Sequence, residues 1–233
     1  MSKLAICFPG QGSQRVGMGK ELSRAFPEAA EVYEQASDEL GFDLGKLCFD
    51  GPIDQLSQTE LTQPALVATS LAALRALQAR IQLVPHAVVG HSVGEHAVQR
   101  VCDRARDLGA KAVRLRVSGA FHSPLVADAA HRLEPAVRAV RFRDLRTRFM
   151  STVSNKLETV DRVPGLLVEQ LTTPVRFTQS VQGLLADGVR TFVEVGAGSV
   201  LSGLVKRIDS SVTAVSVAAP DDFSKVEESL GGA

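Results

Sequence analysis

The chain has 233 residues, of which 45% are hydrophobic, so it is long enough to bury one large core and we expect a single domain. Lysine plus arginine equals aspartate plus glutamate at 26 each, which excludes a global attraction to nucleic acid or to an anionic membrane. No apolar run approaches the roughly 18 residues of a spanning helix and no secretory pattern opens the chain, so we expect a soluble, cytoplasmic protein.

The first predicted element is a buried strand over Lys3–Phe8, an apolar run closed by Pro9 and a glycine-rich loop. Apolar residues at helical spacing then predict a long helix over residues 64–81, with Pro64 in its first turn. A second short apolar run over residues 87–89 indicates another buried strand, which ends at Gly90.

Alternation of strands and helices continues along the chain. The remaining predicted elements are a helix over residues 92–108, strands over 113–117 and 191–195, a helix over 199–208, a strand over 212–217 and a short helical pattern within 220–233. This order predicts an α/β fold with a mainly parallel sheet flanked by helices. Functional residues are expected where loops leave the carboxyl ends of the strands.

The three cysteines, Cys7, Cys48 and Cys102, form no close pair and no metal-ligand spacing. We therefore expect reduced and buried thiols, without a disulfide and without a metal site.

Residues 90–94 read Gly-His-Ser-Val-Gly and match the pattern G-x-S-x-G, with an apolar strand before it and a helical pattern after it. The glycines allow a sharp turn that exposes the hydroxyl of Ser92. The helix N-terminus beneath it supplies free N–H groups and a positive dipole end. A strand-to-helix turn with a capping serine would read similarly, but the flanking elements favour a nucleophile.

A serine nucleophile needs a base, and His122 is the best placed candidate. His91 and His96 lie beside the nucleophile on the turn and the helix. The local geometry there places their side chains, so they are not free to face the serine. His122 instead follows the predicted strand 113–117, at the edge where Ser92 emerges if the two strands are parallel and close. A hydrogen bond from Ser92 to His122 is the geometry that nucleophilic catalysis requires. The alternative is a loop histidine with structural hydrogen bonds only.

Several motifs occur in a fixed order and span nearly the whole chain. They are residues 8–14 (FPGQGSQ), 62–65 (TQPA), 90–95 (GHSVGE), 121–124 (FHSP), 170–176 (QLTTPVR) and 194–196 (EVG). In these motifs the chain resembles the bacterial malonyl-CoA:acyl-carrier-protein transacylases and the related acyltransferase domains of polyketide synthases.

The resemblance implies transfer of a malonyl group from coenzyme A to the phosphopantetheine thiol of an acyl carrier protein, as in fatty acid biosynthesis. It implies that Ser92 carries the acyl group and that His122 is the general base and then the acid. The backbone N–H groups of Gln11 and Val93 would form the oxyanion hole, and the main-chain carbonyl of Gln170 would orient the histidine. Malonyl-CoA and acyl carrier protein are the implied partners, with no cofactor, nucleic acid or membrane.

The chain departs from the family between its nucleophile and its histidine. Only 30 positions separate Ser92 from His122, whereas the family carries a ferredoxin-like small subdomain there. Residues 1–233 are thus expected to form one α/β-hydrolase-like large subdomain, with the small subdomain deleted near residues 97–100. The family's arginine for the malonyl carboxylate lies in the missing segment, which weakens the expectation of malonyl selectivity.

Two alternatives stay open. If the acyl-enzyme is exposed to solvent and water hydrolyses it, the protein would be a thioesterase-like hydrolase. A chain that has lost its activity would be a scaffold that binds the carrier protein. A basic run could meet an acidic partner, or form an ordinary solvated face; its members are Arg138, Arg141, Arg143, Arg146 and Arg148.

Overall fold

The computed structural model describes residues 3–91, 122–145 and 147–231. Its strands are β1 (Lys3–Phe8), β2 (Ala87–Gly90), β3 (Arg148–Met150), β4 (Leu157–Glu158), β5 (Val189–Val195) and β6 (Thr213–Val217). Within these ranges the six strands form one sheet in the order β4-β3-β2-β1-β5-β6. Every pair of neighbours is parallel except β3 and β4. The predicted mainly parallel α/β sheet is confirmed.

Helices cover the sheet on both sides. In the described chain they are α1 (Lys20–Ala25), α2 (Pro27–Leu40), α3 (Leu44–Asp50), α4 (Ile53–Leu56), α5 (Thr59–Arg80), α6 (Ala127–Ala139), α7 (Val163–Glu169), α8 (Phe177–Ala186), α9 (Val200–Ile208) and α10 (Phe223–Gly231). Short 3₁₀ turns span Pro124–Val126, Val160–Arg162 and Pro220–Asp222. None of the helices in these described parts has the length and apolar character needed to cross a membrane.

The central strand β1 shows why the fold has three layers. Successive side chains of a strand point to opposite faces, so Leu4 and Ile6 enter one hydrophobic cluster and Ala5 and Cys7 the other. The first cluster is completed mainly by α2, α5 and α10, and the second by α8 and α9. A strand buried on both faces must be apolar throughout, which is the pattern that the sequence carries here.

The long helix α5 differs from its prediction at the start. It begins at Thr59 rather than at residue 64, and Pro64 lies inside the helix instead of in its first turn. The first turn is already closed by Thr62, whose N–H donates to the Gln58 carbonyl at 2.7 Å and whose hydroxyl donates to the Leu56 carbonyl at 2.6 Å. The predicted start was too late because the first turn of the helix consists mainly of polar residues, and the prediction used only the spacing of apolar residues.

The other predicted elements lie close to the observed ones. Strand β5 starts two residues before its prediction, helix α9 and strand β6 each start one residue later, and the C-terminal helical pattern appears as α10. The predicted helix 92–108 and strand 113–117 lie outside the described residues. Cys7 and Cys48 are buried, as expected, and burial raises the pKa of both thiols. Cys102 lies outside the described residues.

Strands β1 and β2 end at the same level, which sets the position of the candidate site. Phe8 pairs with Gly90 in the parallel register, so the residues that follow each strand emerge side by side. The N–H of His91 donates to the Phe8 carbonyl at 3.2 Å and extends this contact by one residue. The loop after β1 and the start of the G-x-S-x-G motif therefore meet at one edge of the sheet.

Candidate active site

The loop after β1 presents Gln11 at the carboxyl edge of the sheet. Gly12 has a φ of 104°, which a glycine adopts without strain, and the N–H of Ser13 closes the turn onto the Gly10 carbonyl at 3.3 Å. The side chain of Gln11 is buried, and its Nε2 donates to Thr59 Oγ1 at 3.1 Å. The hydrogen bond to Thr59 therefore holds the Gln11 side chain against helix α5.

His122 lies directly before the turn that leads into α6. Its φ of 60° is in the left-handed region, which is uncommon for a residue with a side chain and is a mark of functional sites. The ring is buried, and Nδ1 lies against the main-chain oxygen of Gln170, at the end of α7. A carbonyl only accepts, so Nδ1 carries the proton and Nε2 keeps its lone pair.

The pKa of His122 is below its ordinary value. Burial is the main cause, because it disfavours the imidazolium, and main-chain hydrogen bonds with Gln170 and Thr173 oppose it in part. The neutral imidazole at pH 7 is the form that a general base requires.

A second histidine faces the same space. The ring of His91 packs edge-on against Phe177, with centroids 5.4 Å apart and an interplanar angle of 83°. The pKa of His91 is lowered to about 4, mainly by burial and secondarily by electrostatic repulsion from His122. His91 is thus a neutral wall of the site. Its place in the sequence does not indicate this role, because the ring is buried against the distant residue Phe177.

These residues enclose a cavity of about 330 Å³, here called the histidine cavity. Gln11, Gln63, His91, His122 and Gln170 supply its polar wall, and apolar residues including Leu66, Val67, Leu133 and Leu171 supply the rest. A mostly apolar cleft with a few convergent polar groups is typical of a substrate site. Gln63 belongs to the TQPA motif but was not singled out as a site residue.

The structure thus brings together three of the five predicted site residues, Gln11, His122 and Gln170. Ser92 and Val93 lie outside the described residues, and so does the proposed junction at residues 97–100. Among the described residues, no group of three histidine, cysteine, aspartate or glutamate side chains is arranged to hold a metal.

The first and last arginines of the basic run take part in different ion pairs, and Arg146 lies outside the described residues. Arg138 pairs with Glu134 on its own helix at 2.6 Å. Arg148 lies at the start of β3, where it binds Asp187 at 2.7 Å together with His86. The two arginines therefore belong to separate charge networks.

An acyl transferase domain family matches residues 6–107 of the chain. The malonyl CoA-acyl carrier protein transacylase of Bacillus subtilis (strain 168) is 30% identical over 311 aligned positions, covering 99% of this chain and 98% of the relative. The enzyme of the same name from Haemophilus influenzae is 31% identical over 311 positions, at 99% and 100% coverage. The alignments are longer than this chain of 233 residues.

Solved structures agree with these relatives. The malonyl CoA-acyl carrier protein transacylase of Clostridium perfringens matches with a TM-score of 0.88 at 26% identity, covering 99% of this chain and 98% of the other. A malonyl-transacylase in complex with its type II PKS acyl-carrier protein matches with a TM-score of 0.87 at 26% identity, with full coverage of both chains.

The fold, the family match and the relatives define an acyltransferase. More narrowly, the chain belongs to the malonyl CoA-acyl carrier protein transacylase family.

Proposed function

We propose that this chain transfers a malonyl group from coenzyme A to the phosphopantetheine thiol of an acyl carrier protein, by way of an acyl-enzyme at Ser92. The observation that carries the proposal is the buried, neutral His122, whose Nδ1 is held by the Gln170 carbonyl while its ring lines the histidine cavity. The names of the relatives and the carrier protein bound to a structural neighbour support the same reaction.

The mechanism assigns one task to each group. Nε2 of His122 takes the proton of the Ser92 hydroxyl as its oxygen attacks the thioester carbonyl, and then gives that proton to the departing thiolate of coenzyme A. The backbone N–H groups of Gln11 and Val93 stabilise the negative charge on the carbonyl oxygen. In the second half the carrier thiol attacks the Ser92 ester by the same steps, and Ser92 regains its proton.

This reaction needs a nucleophile, a base and two hydrogen-bond donors, so we propose that it uses coenzyme A thioesters as substrates and no cofactor. We place it in the cytoplasm, without nucleic acid or membrane as a partner. The buried free thiols of Cys7 and Cys48 are consistent with a reducing compartment.

We also propose that residues 1–233 are a single large subdomain, from which the small subdomain is missing near residues 97–100. The length of the alignments supports this, because 311 positions exceed the 233 residues of the chain.

Because a missing small subdomain would leave the acyl-enzyme open to water, hydrolysis is a second candidate function. The cavity wall favours it, since Val67 is 59% exposed and water has access to this side of the site.

The test is incubation with malonyl-CoA, with and without acyl carrier protein, followed by mass spectrometry of the enzyme, the carrier and free malonate. Transfer predicts malonyl carrier protein, whereas hydrolysis predicts malonate without carrier. Binding of the carrier without either product would support an inactive scaffold.

Three variants make the test specific to the site. Ser92→Ala should abolish the acyl-enzyme, and His122→Asn should slow its formation by about 10²- to 10⁴-fold. His131→Asn is the matched control, because His131 is an exposed histidine of α6 that does not line the histidine cavity; it should keep the parent rate. Transfer that persists in Ser92→Ala would refute the proposal.

A further inference from the structure

A second cavity of about 260 Å³, here called the side cavity, lies beside the histidine cavity at the carboxyl ends of β2 and β3. Pro9, His91 and Gln170 line both cavities and form the wall between them. Gly90 also lines the side cavity. The two residues that precede position 92 in the chain, Gly90 and His91, therefore belong to its wall, and the side cavity adjoins the histidine cavity.

The lining of the side cavity is largely apolar. It includes Phe149, Met150, Val153, Leu166, Leu167 and Val175. Of the described residues that line it, none is an aspartate, glutamate, lysine or arginine. A carboxylate or phosphate placed there would lose its hydration without meeting a cation, so the cavity is unsuited to a charged group.

The main-chain carbonyls on the β3 side of the side cavity are already engaged. The Ser151 carbonyl accepts from the Ser180 hydroxyl at 3.2 Å, and the Thr152 carbonyl accepts from the Arg176 N–H at 2.9 Å. The Val153 carbonyl accepts from Arg176 Nη1 at 2.9 Å. Because these acceptors are satisfied within the protein, a ligand amide entering the cavity would find few new hydrogen bonds. The occupant that fits best is a plain hydrocarbon chain.

We propose that the side cavity is a subsite for the aliphatic chain of an acyl thioester, so that this protein binds uncharged straight-chain acyl groups in addition to malonyl. The inference rests on the proposed function, because the thioester carbonyl must lie at the reaction centre for its chain to enter the cavity. At roughly 30 Å³ for each group of the size of a water molecule or a methylene, 260 Å³ holds about six to nine carbons.

Binding to the Ser92→Ala variant tests this without turnover. Isothermal titration calorimetry with acetyl-, butyryl-, hexanoyl-, octanoyl- and dodecanoyl-CoA should show the dissociation constant tightening by about two- to fourfold per methylene up to octanoyl, and no further gain at dodecanoyl. A constant affinity from acetyl to octanoyl would overturn the proposal. So would a gain that continues unchanged to dodecanoyl, which indicates adsorption to an open surface.

A filling variant locates the effect. Leu167→Phe should weaken octanoyl-CoA binding at least tenfold and leave acetyl-CoA binding unchanged, because only the longer chain reaches the side cavity. Leu125→Phe is the matched control, since Leu125 is 71% exposed and does not line the side cavity; it should alter neither affinity. Equal losses for both ligands, or equal behaviour of the two variants, would refute the assignment.

Two further results keep this test decisive. If Leu167→Phe unfolds, as circular dichroism would show, the smaller filling Val175→Ile should still weaken octanoyl-CoA more than acetyl-CoA. If the parent protein transfers no acyl group, the proposed function fails while the chain-length dependence of binding still decides the subsite. Conversely, malonyl transfer without any dependence on chain length would retain the function and reject the subsite.

Discussion

Replacing Gly196 by alanine should disturb both the fold and the candidate active site. Gly196 follows β5 and has a φ of 125°, a conformation that side chains rarely allow. A Cβ atom there would lie 2.5 Å from Ser70 Oγ on α5 and 3.2 Å from Pro9 Cγ. Because Pro9 begins the loop that carries Gln11, one methyl group would press on the long helix and on the site loop together.

Two separate costs add at this position. Holding alanine at such a φ costs about 1–3 kcal/mol, and relieving the overlap with Ser70 and Pro9 costs about 1–3 kcal/mol more. The free energy of unfolding should therefore fall by about 2–6 kcal/mol. For a chain of this size, at about 2–4 °C per kcal/mol, that corresponds to a loss of about 4 to 24 °C in Tm.

Denaturant unfolding followed by circular dichroism measures this loss, and Gly203→Ala is the control within the same chain. Gly203 is exposed in α9 and its added Cβ would meet nothing within 4 Å, so alanine should stabilise by about 0.5–1 kcal/mol. Adding Ser70→Ala to Gly196→Ala should recover part of the loss. The reasoning is refuted if the two glycine variants agree within 1 kcal/mol, or if the double variant recovers nothing.

Four further outcomes can be measured. Because the pKa of His122 is lowered by burial, acylation of Ser92 should hold its rate below pH 6.5 and fall only as pH drops through the lowered pKa, as a pH series of acyl-enzyme formation would show. His91 is neutral when folded, with a pKa of about 4 against about 6.5 unfolded, so its contribution to stability is present above pH 6.5 and is lost as pH falls to 4. Urea titrations at pH 7 and 4 should differ by about 3 kcal/mol more in the parent than in His91→Phe. Gln170→Ala keeps the carbonyl that holds His122, so acylation should stay within about threefold of the parent; a tenfold loss would implicate the side chain. Asp187→Asn removes a carboxylate bound by Arg148 and should lower Tm in dilute buffer, with a smaller change at about 1 M salt.

The central strands of the sheet could be predicted from the sequence more easily than the short edge strands and some of the helices. Strands β1, β2 and β5 are apolar because they are buried in the middle of the sheet, and that composition marks them directly. Strand β3 has three residues and β4 has two, which is too short for an alternation to be visible. Helix α2 buries only Ala29 and Tyr33, so its apolar stripe is too thin to stand out.

The site shows a similar division. The resemblance indicated His122 and Gln170, and the structure places them in contact. Residue types alone could not have paired them, because the group on Gln170 that contacts the histidine is a main-chain oxygen, which every residue has. The low pKa of His91 could not be predicted from the sequence either, because it arises mainly from burial, and the ring packs against Phe177, 86 positions further along the chain.

The described contacts that position His122 are with residues that follow it in the chain. His122 leads into α6, which packs on α7, and the carbonyl that holds its ring follows α7. Gln11 is held from α5. The proposed loss of the small subdomain between Ser92 and His122 would therefore remove part of the cover over the substrate. It would leave in place the contacts that orient the His122 ring. Under the proposed function, this loss would bear on the acyl groups that the site accepts and on the access of water to the acyl-enzyme, rather than on the proton transfer itself.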